Sequence, residues 1–173
     1  VRCRRGHGRQ YAAAAVLCAL TLGYTIKLGQ LRYTGAAVDV LMLDAGQGAC
    51  MLLESNGISA LVDCGGNSFP DAGDLAADYL ATMGCTSLDY LILTHYDADH
   101  VNGVETLLSR IDVKQVLVPD TGDDTLVRAQ VRSTLEASRV PVSSIQQAET
   151  FSLGDGQITV YPPVGSGSDN EQG

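Results

Sequence analysis

The chain has 173 residues, is 45% hydrophobic and carries a formal charge of −9, which suits one domain with a short appendage and a real core. Residues 1–32 hold Arg2, Arg4, Arg5, Arg9, Lys27 and Arg32 and no acid, whereas the other 141 residues hold 5 basic and all 20 acidic side chains, a formal −15. That acidic body argues against a general nucleic-acid binder, which would show a basic stripe, and the five cysteines (Cys3, Cys18, Cys50, Cys64, Cys85) form no CxxC pair, zinc ribbon or even-numbered disulfide framework.

Residues 10–26 carry no charge. Seventeen residues is the short end of the roughly 17–25 that a spanning helix needs. The arginines before it would place its N-terminal side in the cytoplasm and the acidic body outside. A spanning helix is the favoured expectation; a signal peptide and a buried soluble helix are the alternatives. Residues 1–9 then form a basic flank, 10–32 a transmembrane helix with its linker, and 33–173 the main domain.

From residue 38 the pattern changes. A strand is expected over 38–43, a glycine-rich turn over 44–48, and strands over 50–53 and 58–62. The last two are joined by Ser55-Asn56-Gly57, a hairpin signal. Residues 63–67 read as a loop and 72–83 as a helix whose apolar face is Leu75, Tyr79, Leu80 and Met83. An apolar strand over 88–93 follows, broken only by Asp89. A short helix is expected over 103–110, a strand over 116–118 and a helix over 125–138. Further strands are expected over 141–145 and 157–161, and the Gly/Ser-rich tail 165–173 reads as a loop. Strands first, then strands alternating with helices, indicate an α/β sandwich with mixed sheets.

His95, Asp97, Asp99 and His100 fall within six residues at the end of the 88–93 strand, and only His7 is a histidine besides these two. Imidazole nitrogen and carboxylate oxygen are ligands for Zn²⁺, Mn²⁺ or Fe²⁺. Four such groups at a strand end are costly without a partner, and a cation supplies one. For a lone histidine the plain alternative is a polar turn facing water. Asp63 follows another strand and precedes Cys64-Gly65-Gly66; it can orient a metal-ligating histidine or merely cap a turn. The turn Asp44-Ala45-Gly46-Gln47-Gly48 alone is a plain turn more often than a phosphate cradle.

Together, Leu43-Asp44-Ala45-Gly46-Gln47-Gly48, Leu61-Val62-Asp63-Cys64-Gly65-Gly66-Asn67 and Leu93-Thr94-His95-Tyr96-Asp97-Ala98-Asp99-His100-Val101-Asn102-Gly103 form an ordered set. The set resembles the metallo-β-lactamase-like domain of ComEC-type competence proteins, bacterial membrane proteins of DNA uptake. The resemblance runs from about residue 38 to 173. It implies the N-terminal part of an αββα sandwich preceded by an apolar helix, with 168–173 entering the domain's next strand. It implies one or two divalent ions, Zn or Mn, and hydrolysis by a metal-activated hydroxide. The metal ligands it implies are His95, Asp97, Asp99 and His100, with Asp99 also handling the water. Asp63, Asp44, Gly46 and Gly48 would shape the site. DNA would be the substrate, the membrane a partner through residues 10–26, other DNA-uptake proteins possible partners, and the extracytoplasmic side of a bacterial cell membrane the location.

Two departures stand out. Asp97 occupies a position that is histidine in most of the superfamily, which makes the site harder and more tolerant of Mn²⁺. After His100 the chain has no histidine, so the expectation is half a site, completed beyond residue 173, and an inactive fragment by itself. Two other readings remain open: an anchored hydrolase of another substrate, and a non-catalytic gating or binding module.

Overall fold

The computed structural model describes residues 7–31, 38–121 and 125–163, in two units, Val1–Ala36 and Ala37–Gly173. The basic flank up to residue 6, the linker at 32–37, and the tail with its expected strand entry lie outside the described residues. In the first unit α1 (His7–Leu31) is one helix. Among the described residues no helix is long and apolar enough to cross a membrane, so the spanning helix expected over 10–26 is not supported there. The run is uncharged and joins four consecutive alanines to Val16, Leu17, Leu20, Leu22 and Ile26, with Thr21, Gly23, Tyr24 and Thr25 among them.

The second unit begins as a meander of β1 (Asp39–Met42), β2 (Met51–Ser55) and β3 (Ile58–Val62), paired antiparallel. Asn56 and Gly57 both have positive φ, 47° and 80°, the backbone that a two-residue hairpin between twisted strands requires. After α2 (Ala72–Thr82) the chain returns as β4 (Ser87–Ile92), parallel to β3. Two short helices, α3 (Ala98–Val101) and α4 (Val104–Arg110), lead to β5 (Asp112–Pro119), and α5 (Leu126–Ser138) leads to β6 (Val142–Ile145). The result is one mixed sheet in the order β1-β2-β3-β4-β5-β6. A separate hairpin, β7 (Glu149–Leu153) and β8 (Gly156–Val160), follows.

Strands β3 and β4 and the second half of β5 read as nearly continuous apolar runs because both of their faces are buried. Successive side chains point to opposite faces. Leu61, Leu91 and Val116 meet Ala76, Leu80, Leu107 and Leu135 on the helical side. Their neighbours Ala60, Ile92 and Leu117 form a second core with Ile145 and Leu153 of the hairpin side, against which Phe151 and Ile158 pack. Helices, sheet and hairpin thus supply three layers of the expected αββα sandwich among the described residues. The hairpin turn is tied to the β2–β3 turn: Asp155 N–H donates to Ser55 Oγ at 3.1 Å, and Asn56 Nδ2 donates to Asp155 Oδ1 at 3.3 Å.

Three expectations shift. The buried face of α2 is Ala72, Gly73, Ala76, Ala77 and Leu80, whereas Leu75, Tyr79 and Met83 are only partly covered. A Cβ built on Gly73 would lie 2.2 Å from the Gly103 carbonyl, so small residues set how closely α2 approaches the segment before α4. Strand β5 starts four residues earlier than expected, because Lys114 is tied to Asp89 on β4 at 2.7 Å and Gln115 to Ser143 on β6 at 2.9 Å. Such pairs between neighbouring strands let polar residues continue a strand. Strand β7 was not expected.

Candidate metal centre

The carboxyl ends of β3 and β4 lie side by side, and open α/β sheets place their sites at such ends. Asp63 leaves β3 with φ of 56°, a left-handed conformation that Asp tolerates better than most residues. Its N–H donates to the Ile92 carbonyl at 2.8 Å, and the residue is 3% exposed. The turn aims its carboxylate at the segment leaving β4. Asp63 Oδ1 accepts the Thr94 N–H at 2.8 Å, and Oδ2 accepts the Thr94 hydroxyl at 2.7 Å. Oδ2 also lies 2.8 Å from His100 Nδ1, and the Thr94 oxygen lies 2.9 Å from His95 Nδ1.

Proton counting fixes both rings. A carboxylate only accepts, so His100 Nδ1 carries the hydrogen it donates to Asp63. The Thr94 hydroxyl has spent its one hydrogen on Asp63, so its oxygen accepts from His95 Nδ1–H. In its neutral form each imidazole therefore presents a bare Nε2. The ring centroids are 3.8 Å apart, inclined at 49°.

Asp63, His95 and His100 have ligand atoms within 4.8 Å of one another. Asp63 already accepts three hydrogen bonds, so it acts as the holder of the histidines rather than as a ligand. On the Nε2 side, His95 Nε2 is 3.9 Å from Asp97 Oδ2, less than the roughly 4.2 Å that two ligands at about 2.1 Å can span across one ion. Asp99, in the first turn of α3, is not part of the cluster, and among the described residues its carboxylate makes no hydrogen bond. Two neutral nitrogens with carboxylates beside them are a donor set that fits Zn²⁺ or Mn²⁺.

The glycine-rich segments shape this loop through their backbones. A Cβ on Gly48 would lie 2.4 to 2.6 Å from Gly66, Gly65 and the Asp99 carbonyl, and one on Gly65 would lie 2.5 Å from the backbone of Asp99 and His100. Ala49 N–H reaches the Asp99 carbonyl at 3.1 Å, and Cys64 N–H reaches that of His100 at 2.8 Å. Gly46 N–H approaches the Asp44 side chain only at 3.4 Å, and Asp44 is exposed. Of this turn Gly48 packs against the loop at Asp99 and Gly46 against Asn67, while Asp44 stays exposed.

Three contributors escape the motif reading. Thr94 links Asp63 to His95. Asn102 clamps both backbone groups of Gly66, accepting its N–H at 2.9 Å and donating to its carbonyl at 2.8 Å. Asn67 accepts the Gln47 N–H at 2.8 Å. All three stand inside the motif segments, yet only the folded geometry shows their bonds. Beneath the site, Cys50 and Cys64 are fully buried free thiols; the Cys64 thiol is pushed well up from its ordinary range, first by its hydrogen bond to Cys50 and then by burial.

A family model described as the metallo-beta-lactamase superfamily matches residues 43–171. The chain belongs to that superfamily. Its members are generally hydrolytic and bind divalent metals, and the Asp63-held histidine pair is this member's candidate metal site. The chain is similar to ComE operon protein 3 of Bacillus subtilis (strain 168), 26% identical over 141 residues, which cover 72% of this chain and 18% of that protein. It therefore spans under a fifth of that relative's length. Among solved structures, the peroxy diiron species of the chemotaxis sensor ODP matches with a TM-score of 0.53 at 21% identity, over 76% of this chain and 52% of that one. The metallo-beta-lactamase fold protein YhfI of Bacillus subtilis gives a TM-score of 0.46 at 19% identity, over 68% and 48%. The likeness to ODP shows the fold.

Proposed function

We propose that this superfamily member is the hydrolase domain of a bacterial DNA-uptake protein and cleaves phosphodiester bonds of incoming DNA. What carries the hydrolytic part is one observation: both imidazoles of the His95–His100 loop are preset through Asp63 with Nε2 bare. The likeness to ComE operon protein 3, together with the three ordered motifs, supports the DNA-uptake part. On this reading the domain works at the extracytoplasmic side of the cell membrane, alongside other DNA-uptake proteins.

When bound, a divalent ion would acidify a water toward neutral pH and neutralise charge on the phosphate oxygens. His95 and His100 would hold one ion or two through Nε2, with Asp97 and Asp99 adding oxygen. Asp63 and Thr94 keep the imidazoles from turning. Asp99, whose carboxylate makes no hydrogen bond among the described residues, would orient the attacking water and accept its proton.

The test is incubation of the full-length protein, loaded with Zn²⁺ or Mn²⁺, with end-labelled single-stranded DNA. Cleavage that EDTA stops and that D99N and H95A each lower by at least about a hundredfold is expected. A folded, metal-loaded protein that leaves the DNA intact with both ions overturns the nuclease reading.

A further inference from the structure

We propose that the arginine-bearing face of α5 is a track for the phosphates of a single DNA strand, leading to the metal loop. The proposal rests on reading the site as one that acts on DNA.

The acidic body holds only five basic residues beyond residue 32, and the fold divides them sharply. Arg110 is tied to Asp74 at 2.6 Å and to Asp78, and Lys114 to Asp89 at 2.7 Å. The other three, Arg128, Arg132 and Arg139, all line one cavity of about 380 Å³ between α5 and the ends of β5 and β6. Neither Arg132 nor Arg139 makes an ion pair among the described residues. Glu136 is the one acidic side chain on the cavity wall. Two cations unpaired among the described residues and a third beside them are thus gathered on one face of a body that, beyond residue 32, is otherwise strongly negative.

Spacing turns the cluster into a row. Positions 128, 132 and 139 follow i, i+4 and i+11, which fall on one side of a helix and span roughly 16 Å along its axis. The row begins beside Tyr96 of the metal loop. The Arg128 guanidinium carbon stands 5.4 Å from the centroid of the Tyr96 ring, a cation–π distance, and Tyr96 lies between His95 and Asp97 in sequence. The row ends at Arg139, which holds the left-handed C-cap of α5 with φ of 57°, where glycine is the least costly residue. Between the arginines the cavity floor is apolar, with Val118, Val131 and Leu135, a surface for sugars and base faces. Cations along a backbone path with apolar support beside them are the elements of single-strand binding. A duplex would press its second row of phosphates against the acidic surroundings, so a single strand is the better fit.

The test separates binding from cleavage. Dye-labelled oligothymidylate is titrated with the protein in EDTA, read by fluorescence anisotropy at several salt concentrations. The R132Q/R139Q double variant is expected to lose on the order of tenfold in affinity at low salt, and the slope of log affinity against log salt to fall by about 1.4. R110Q, which removes an already paired cation, leaves both unchanged. R139G weakens binding while raising the melting temperature, because it relieves the left-handed C-cap; that divergence separates a binding role from a folding role. Absence of binding by the wild-type protein, or wild-type affinity and slope in R132Q/R139Q, overturns the track. So does displacement of the strand by phosphatidylglycerol vesicles as effectively as by unlabelled oligothymidylate. Metal-dependent cleavage with arginine-independent binding would sink the track and leave the nuclease reading standing; arginine-dependent binding without cleavage would do the reverse.

Discussion

Within the loop from His95 to His100, the two imidazoles and the two carboxylates are held in opposite ways. Each imidazole is anchored at Nδ1, His100 directly on buried Asp63 and His95 through Thr94. Among the described residues the carboxylates have no such anchors: Asp97 has only its 3.9 Å approach to His95, and Asp99 makes no side-chain hydrogen bond. The difference separates two jobs. Ring orientation is settled by folding and costs a cation nothing, whereas the carboxylates keep their acceptor capacity for a cation or a water.

That contrast can be broken most sharply at Asp63. D63A strands the Thr94 N–H, the Thr94 hydroxyl and the His100 Nδ1–H in a buried setting, and a loss of about 3 kcal/mol or more is expected in urea unfolding. D97A and D99A are expected to stay within about 0.5 kcal/mol of wild type without metal. Equal losses in all three variants would erase the distinction between anchored and free groups.

Thr94 sharpens it further. T94V removes the relay to His95 but leaves Asp63 on His100, with an expected cost of roughly 1–2 kcal/mol. Because the chain has only three histidines, ¹⁵N spectra can follow each ring. His95 should lose its fixed Nδ1–H tautomer in T94V while His100 keeps it, and T94S should restore that of His95. A His95 ring unaffected by T94V would remove the hydroxyl from the argument.

On the carboxylate side, calorimetry of the 173-residue chain should show divalent binding weaker than micromolar, since it offers no histidine after His100. D97H should shift the preference toward Zn²⁺ over Mn²⁺ by about tenfold; an unchanged ratio would mean that Asp97 does not touch the ion.

The smallest expected effect comes from a carboxylate with no cation to serve. Glu54 on β2 faces Asp39 on β1 in register. Its pKa is raised from the ordinary carboxylate value, first by burial and then by that neighbouring charge. A raised carboxyl pKa means that the folded state favours the protonated form, so this contribution is fully present below the unfolded pKa and lost as pH rises through the folded value. E54Q should therefore match wild type near pH 4 and exceed it by roughly 0.3 kcal/mol at pH 7, the small size reflecting its partial exposure. Unlike the effects at Asp97 and Asp99, this gain should not respond to added metal.

The parts legible in sequence were those where a local rule decides the outcome. The Asn56-Gly57 turn, the doubly buried runs of β3 and β4, and the ligand-rich loop after β4 all follow from residue type and spacing. What stayed hidden depends on partners far along the chain. Lys114 and Gln115 look like loop residues until Asp89 and Ser143 are seen beside them. Thr94, Asn67 and Asn102 carry no metal-binding chemistry of their own, so nothing local marks them as the residues that lock the site. The acidic total likewise concealed a basic row, because net charge does not report position.

The bond between the two turns also bears on how the molecule is made. Ser55 meets Asp155 across a sequence separation of 100 residues, so the hairpin cannot close on the sheet until nearly all of the described chain has emerged from the ribosome. The set Asp63, Thr94, His95 and His100 is complete 55 residues before Asp155, and segments that emerge first can fold first. A nascent chain should therefore hold its two imidazoles oriented on Asp63 while the inner face of the sheet is still bare. In that interval the exposed apolar side chains of Ile92 and Leu117, rather than the metal loop, are the point at which synthesis is most open to misassembly.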